Sequence, residues 1–237
     1  MPSVRRTTAA CVATLPLAVV LAGCVSTQQI AARARLVSAR ELASQSTTRV
    51  GRANPNVTVD HVALIHARTG TAIVVSLRND SSMTLTDLPI SIGVRSGRRE
   101  LYLNRSANLD YFESHVAVIG PHDATDWVFT TGRRVAGGRA VATVGFPDLH
   151  ASLAGAVPRV DVTPGGAARV TVSNHSTIPQ YDLQVYVVAT RAGRYVGAGI
   201  ARVPHLGTHA TTSVPVTFLG VAQGVTLKPT AVPTIFR

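Results

Sequence analysis

Val75-Ser76-Leu77-Arg78-Asn79-Asp80-Ser81-Ser82 and Val170-Thr171-Val172-Ser173-Asn174-His175-Ser176-Thr177 carry one pattern twice, 95 positions apart. Each is an alternating run of β-branched and polar residues that ends on asparagine and a serine-rich turn. The same offset aligns Asp87-Leu88-Pro89-Ile90-Ser91-Ile92 with Asp182-Leu183-Gln184-Val185-Tyr186-Val187, with no gap between. Further on, Ile119-Gly120-Pro121-His122 matches Leu206-Gly207-Thr208-His209 at an offset of 87. A constant offset followed by a shorter one describes a duplicated unit whose second copy lacks 8 residues of an intervening loop.

Short runs rich in Val, Ile and Thr, separated by Gly, Pro, Asn and Asp, are the signature of an all-β sandwich. Copies of this size suit immunoglobulin-like sandwiches of about seven strands. The first copy places strands near 58–67, 71–79, 87–95, 99–104, 114–119, 125–131 and 138–146. The second places them near 158–163, 167–174, 182–190, 194–200, 201–206, 211–219 and 225–235. The expected organisation is therefore all-β, with two tandem immunoglobulin-like sandwiches at 57–147 and 157–237. A short linker at 148–156 joins them, so an end-to-end arrangement is expected. Asn79 and Asn174 end strands, where the side chain can bond a turning backbone. Asp87 and Asp182 precede the next strand in a similar role. Leu88, Ile90 and Ile92, like Leu183, Val185 and Val187, alternate to give one buried face. Trp127 and Phe129 are expected to fill the first core and Phe218 the second.

Upstream, the chain starts Met1-Pro2-Ser3-Val4-Arg5-Arg6 and continues into an apolar run ending Leu21-Ala22-Gly23-Cys24. A basic start, an apolar stretch of about 7–15 residues and small residues at a cleavage site make a secretory signal. The stretch is short for a transmembrane helix, which needs about 20 apolar residues. Leu21-Ala22-Gly23-Cys24 resembles the lipobox of bacterial lipoproteins. That resemblance implies removal of residues 1–23, cleavage between Gly23 and Cys24, and lipidation of Cys24, with palmitate-type chains holding the protein at a membrane. Buried methylenes contribute about 0.8 kcal/mol each, so two or more chains anchor stably. The expected location is the cell envelope, on the extracytoplasmic side of the cell membrane or outer membrane.

Residues 24–56 read as the lipidated cysteine, a helical stalk over Thr27–Gln45, and a Ser/Thr- and Gly/Pro-containing break. The only other cysteine, Cys11, lies in the segment expected to be removed, which leaves no thiol for catalysis or for a zinc site.

The layout Asn174, Leu183-x-Val185-x-Val187, Gly193, Tyr195-Val196-Gly197, Leu206-Gly207, Phe218 resembles the FxLYD-like group of immunoglobulin-fold domains of bacterial envelope lipoproteins. The match covers most of the second copy and, more loosely, the first. It departs at Arg191-Ala192, where that group carries an aromatic-acidic pair. The resemblance implies fold and envelope location and brings no catalytic residues.

The formal charge is +11, and all the basic residues but Lys228 are arginines. A basic surface favours anionic partners. The arginines are scattered, with pairs at Arg98-Arg99 and Arg133-Arg134, and aromatics are few, which argues against nucleic-acid stacking. The eight histidines show no strong metal spacing: Pro204 and Gly207 break any helix that would align His205 with His209. His61 and His66 fall on opposite faces of a strand. His122, Asp123 and Asp126 cluster by a turn. No nucleophile elbow, phosphate loop or paired-glutamate pattern occurs, and the only glutamates are Glu41, Glu100 and Glu113. No catalytic residue, metal site or cofactor is expected.

The longer loop of the first copy, about 98–114, holds Tyr102, Arg105, Tyr111 and Phe112, a composition suited to a protein contact. A fold-back of Tyr111 and Phe112 onto the sandwich is the competing expectation. The sequence therefore points to a non-catalytic lipoprotein that binds another envelope protein or serves as a structural accessory. The alternatives are a binder of anionic wall polymer or lipid headgroups, and an envelope hydrolase.

Overall fold

The computed structural model describes residues 50–105, 109–147, 157–166 and 168–233. The signal segment, Cys24, the predicted stalk and the linker at 148–156 lie outside the described residues.

The described residues are almost entirely antiparallel β. The first half contains β1 (Val57–Ala67), β2 (Gly70–Asn79), β3 (Leu85–Ser96), β4 (Arg99–Tyr102), the one-turn helix α1 (Tyr111–Ser114), β5 (His115–Ile119), β6 (Ala124–Thr131) and β7 (Arg139–Val144). The second half contains β8 (Val160–Pro164), β9 (Arg169–Asn174), β10 (Gln180–Arg191), β11 (Arg194–Leu206), β12 (Thr211–Pro215), β13 (Thr217–Gly220) and β14 (Thr226–Val232). The strands form four sheets. A three-stranded sheet β1-β2-β6 faces a sheet built on β3, which pairs with β4, β5 and β7. In the second half β12-β9-β8 faces β13-β11-β10-β14. Each half is thus a sandwich of a three-stranded and a four-stranded sheet.

The repeated sequence becomes a repeated hydrogen-bond cradle. Asn79 Nδ2 donates to the carbonyls of Met83 (2.7 Å) and Gly120 (2.8 Å), while its Oδ1 accepts from the Ser81 amide (2.9 Å) and hydroxyl (2.7 Å). Asn174 makes the same four bonds, to Ile178 (2.9 Å), Gly207 (3.0 Å) and the Ser176 amide (3.0 Å) and hydroxyl (2.8 Å). Both asparagines are fully buried. Left-handed backbone also recurs, at Asp87 (φ 53°) and Asp182 (φ 49°), and at His122 (φ 51°) and His209 (φ 52°). A duplication explains matching left-handed non-glycine residues at both offsets, because each alone is uncommon.

Three details differ from the sequence reading. Asp87 and Asp182 lie inside β3 and β10 rather than before them, at positions the ladder skips. Asp87 accepts a hydrogen bond from the Tyr111 hydroxyl, and Asp182 pairs with Arg202 at 3.5 Å. The two strands expected at 194–200 and 201–206 are one strand, β11, and the run expected at 211–219 breaks at Val216 into β12 and β13.

The halves do not meet end to end. In β2, Ile73, Val75 and Leu77 face the core of the first sandwich with Trp127 and Phe129. Ala72 and Val74, on the opposite face, are equally buried. They are covered by the outer face of the second half's four-stranded sheet, from which Tyr186, Val188, Ala198 and Leu219 join the same apolar cluster. Val170, Val172, Leu183, Val185 and Val203 form a separate cluster inside the second sandwich, with Phe218 packed at its side. The result is four stacked β-layers. An extended strand with apolar residues on both faces is buried on both, which is why β2 and β10 read as near-continuous apolar runs.

Polar groups also cross this middle interface. The buried Asp126 carboxylate accepts from Ser76 (2.5 Å), Tyr195 (2.9 Å) and Lys228 (3.1 Å). Tyr195 stacks on His61 at 5.5 Å, and Arg202 bridges to Asp110 at 3.3 Å.

Candidate functional site

A surface depression lies at the β3–β4 hairpin. It is a groove of about 390 Å³ between the β4 edge and the β6–β7 connection, with Val94, Leu101, Val135 and Ala136 among its lining residues. Val94 and Val135 are buried at its floor, whereas Leu101 is 60% exposed. Among the described residues β4 ends its sheet, with β3 as its neighbour. An edge strand presents unpaired backbone groups to solvent.

Register fixes which groups these are. The Leu103 amide donates to the Ile92 carbonyl at 2.9 Å, and Tyr102 sits opposite Gly93. Amide and carbonyl of one strand residue point to the same side and alternate along the strand. Leu101 and Leu103 therefore bond inward to β3, and the amide and carbonyl of Tyr102 point away from it.

Arg99 lines the groove, and Arg98, Arg133, Arg134 and Arg139 are exposed on the β3–β4 hairpin, the β6–β7 connection and the start of β7. The one acidic residue in the groove, Glu100, is engaged by Arg95 through Nε (3.1 Å) and Nη2 (2.7 Å). That hydrogen bond holds the Glu100 carboxyl below the usual glutamate range and raises the Arg95 guanidinium. Arg105 stacks over the Tyr102 ring at 4.2 Å.

Of the four residues expected to form a contact surface, Tyr102 and Arg105 come together on the exposed hairpin. Tyr111 and Phe112 do not: both are buried, packed edge to face at 5.2 Å, with Tyr111 also stacked on His115 at 4.7 Å. The α1 turn lays them against β3 because Asp110 and Glu113 close its start, the Glu113 carboxylate accepting from the Asp110 amide at 2.9 Å. Their hydrophobic surface goes to the core.

The inserted loop is pinned by Asn104. Its Nδ2 donates to Ile90 (2.8 Å) and Glu113 (3.0 Å), and its Oδ1 accepts from the Ile92 amide (2.9 Å). A side chain here pairs with β3 where an interrupted strand leaves a gap.

Sequence reasoning missed Leu101, Val94 and Val135. The repeat held the signal. By pairing, Leu101 and Leu103 correspond to Gly197 and Gly199 of β11, a change from no side chain to a large apolar one at the strand edge.

Gly23 and Cys24 lie outside the described residues. His205 packs on Tyr181 at 4.9 Å, and His122 and His209 occupy their two turns. Asp123 bonds the Ala124 amide at 2.8 Å, while Asp126 turns into the interlayer contact. Among the described residues no three His, Cys, Asp or Glu side chains gather as a metal set. No helix among them is long and apolar enough to cross a membrane.

Burial pushes the Tyr195 hydroxyl above the ordinary tyrosine value, and the completely buried Tyr186 hydroxyl further still. Tyr186 Oη is the one buried side-chain polar atom among the described residues without a hydrogen-bond partner. It sits beside a void of about 20 Å³ between the halves.

No protein-family model matches this chain, and no curated protein matches it either.

Proposed function

We propose that this protein is a non-catalytic accessory of the bacterial cell envelope, anchored by lipid on Cys24, which works by binding another envelope protein through the β3–β4 face. The tandem immunoglobulin-like division and the FxLYD-like likeness belong to this reading. The observation that carries it is the groove itself: an exposed leucine on an edge strand, beside buried valines and Arg99. Exposed apolar groups rimmed by polar ones mark contact surfaces.

The test is photo-crosslinking in intact cells, with the photoreactive residue at Leu101 or, as control, at exposed Met83. The reading expects a discrete protein adduct from position 101 and none from 83. It also expects acyl chains on Cys24 by mass spectrometry, and release of the protein from membranes by Cys24→Ser. Equal, diffuse crosslinking at both positions refutes the contact face, and retention of the Cys24→Ser variant refutes the anchor.

The clustered arginines favour a second reading, in which the face binds anionic wall polymer or lipid headgroups. A polyanion needs the charges but neither the Leu101 side chain nor the outward backbone of Tyr102. With the lipid anchor removed by Cys24→Ser, binding of the purified protein to isolated envelopes that survives a further Leu101→Ser but not Arg99→Ser with Arg133→Ser supports that alternative.

A further inference from the structure

The duplicated half supplies a template for what the β4 edge lacks. In the second half β11 has a strand on each side. β10 pairs along one edge, and β13 pairs along the other, with Gly197, Ala198, Gly199 and Ile200 opposite Gly220, Leu219, Phe218 and Thr217. β13 reaches that place because the chain leaves the three-stranded sheet after Pro215 and crosses to β11. In the first half the matching segment does not cross. β6 stays paired with β2 through Thr131, opposite Thr71. The residues that correspond to the β13-paired stretch are Leu101, Tyr102, Leu103 and Asn104; among the described residues nothing pairs with β4 on that edge, and the groove beside it is lined by Leu101 of β4, Val94 of β3 and Val135 of the β6–β7 connection.

Resting on the reading of this face as a protein contact, we infer that β4 binds its partner by strand addition: an extended segment of another protein pairs antiparallel with β4 in the position β13 fills in the second half. Main-chain bonds to an open edge give such complexes affinity, and side-chain pockets give specificity.

The chemistry of the added segment can be read from the two halves together. In the second half the large residue is on the added strand and the receiving strand is bare, since a Cβ at Gly197 or Gly199 would fall within 2.5 to 2.7 Å of the Phe218 ring. In the first half Leu101 and Leu103 stand at those two positions and bring the bulk themselves. The incoming strand must then carry small or β-branched residues facing them, such as Val, Thr or Ala.

Its flank is expected to be acidic, because Arg98 and Arg99 stand exposed at the start of β4 and Arg99 lines the groove. A second copy of this chain is disfavoured on the same ground, since β4 against β4 would set two such arginine clusters together.

The test uses the full chain and a fluorescein-labelled peptide, Asp-Asp-Val-Thr-Val-Thr-Val-Thr-Asp-Asp, read by fluorescence anisotropy. Expected are saturable binding that weakens as salt rises, and loss of binding when alternate peptide amides are N-methylated. Tyr102→Pro deletes the outward amide at an edge position, where proline is tolerated, and is expected to weaken binding by about tenfold or more. Tyr102→Phe keeps that amide and is expected to bind like the parent. Leu101→Arg is expected to abolish binding. Circular dichroism and Trp127 emission confirm that each variant is folded.

Two results overturn strand addition: N-methylated and parent peptides binding alike, or Tyr102→Pro binding like Tyr102→Phe. Absence of any peptide binding, together with a retained cellular adduct from position 101, also overturns it while leaving the protein-contact reading intact. Absence of both removes that reading as well.

Discussion

Tyr195→Phe removes one oxygen from the interface between the halves, and its consequence separates a stacked molecule from two independent sandwiches. Tyr195 is on β11, in the second half; its hydroxyl lies 2.8 Å from Ser76 Oγ and 2.9 Å from the Asp126 carboxylate, both in the first. Asp126 itself is 3% exposed. A hydrogen bond to a charged group contributes about 1.5–3 kcal/mol, and Tyr195 is half-buried, so the lower end applies: a loss of about 1.5 kcal/mol. The carboxylate keeps Ser76 and Lys228, and the phenyl ring keeps its stack on His61, so no cavity term is added. Lys228→Met, which removes a largely exposed ammonium from the same carboxylate, is expected to cost less, about 1 kcal/mol or below. The assay is urea unfolding followed by Trp127, the only tryptophan in the chain, which is buried in the first sandwich. Both substitutions lie in the second half, yet both must lower the stability that Trp127 reports, and far-UV dichroism must follow the same curve. The reasoning fails if Trp127's transition moves by less than about 0.3 kcal/mol while dichroism resolves a second, shifted transition; that is the additivity expected of independent, distant sites.

Other consequences follow from single groups. Asn79→Ala and Asn174→Ala each break the same four hydrogen bonds in a buried cradle, so both are expected to cost about 3 kcal/mol and to agree within about 1 kcal/mol in thermal or urea unfolding. Tyr186→Phe removes a buried hydroxyl without a partner and is expected to be neutral or stabilising by up to about 1 kcal/mol; a larger loss would mean that the hydroxyl is satisfied. Tyr195 and Tyr186 both have hydroxyl pKa values raised by burial above the tyrosine value of 10.0, so their contribution is complete below that pH and is lost as pH rises through the folded values. Stability is expected to fall above about pH 10, and the Tyr195→Phe, Tyr186→Phe double variant to show a shallower alkaline limb. His122→Gly and His209→Gly relieve exposed left-handed backbone and are expected to stabilise by up to about 1 kcal/mol each, read as a rise in midpoint.

The sequence disclosed what depends on local pattern and left out what depends on which sheet a strand joins. Strand positions and the Asn79 and Asn174 turns were legible because alternation and asparagine turn chemistry act within a few residues, and the repeat tested each assignment against its twin. The stacking of the halves was less so. Buried residues on both faces of β2 and β10 do appear as unbroken apolar runs, but such a run does not name its cover, and a short linker suits end-to-end and face-to-face packing alike. For the aromatic pair Tyr111-Phe112 the sequence leaves a surface contact and a fold-back onto the sandwich both open; the Asp110–Glu113 closure folds it inward, a three-residue interaction inside an insertion. The groove was hardest to see, since it arises from a difference between copies. After Pro215 the chain changes sheets and covers the β11 edge; after Val128 it continues along β2 and leaves β4 bare. Proline lacks an amide donor and ends a ladder, so Pro215, set against Val128 in the first copy, marks the switch. On the strand-addition proposal, the open edge keeps two leucines where its twin keeps two glycines because a partner strand meets them; a merely bare edge is an aggregation hazard that charge and bulges alone would blunt. The same arginines that guard that edge against a second copy are those that would select an acidic strand.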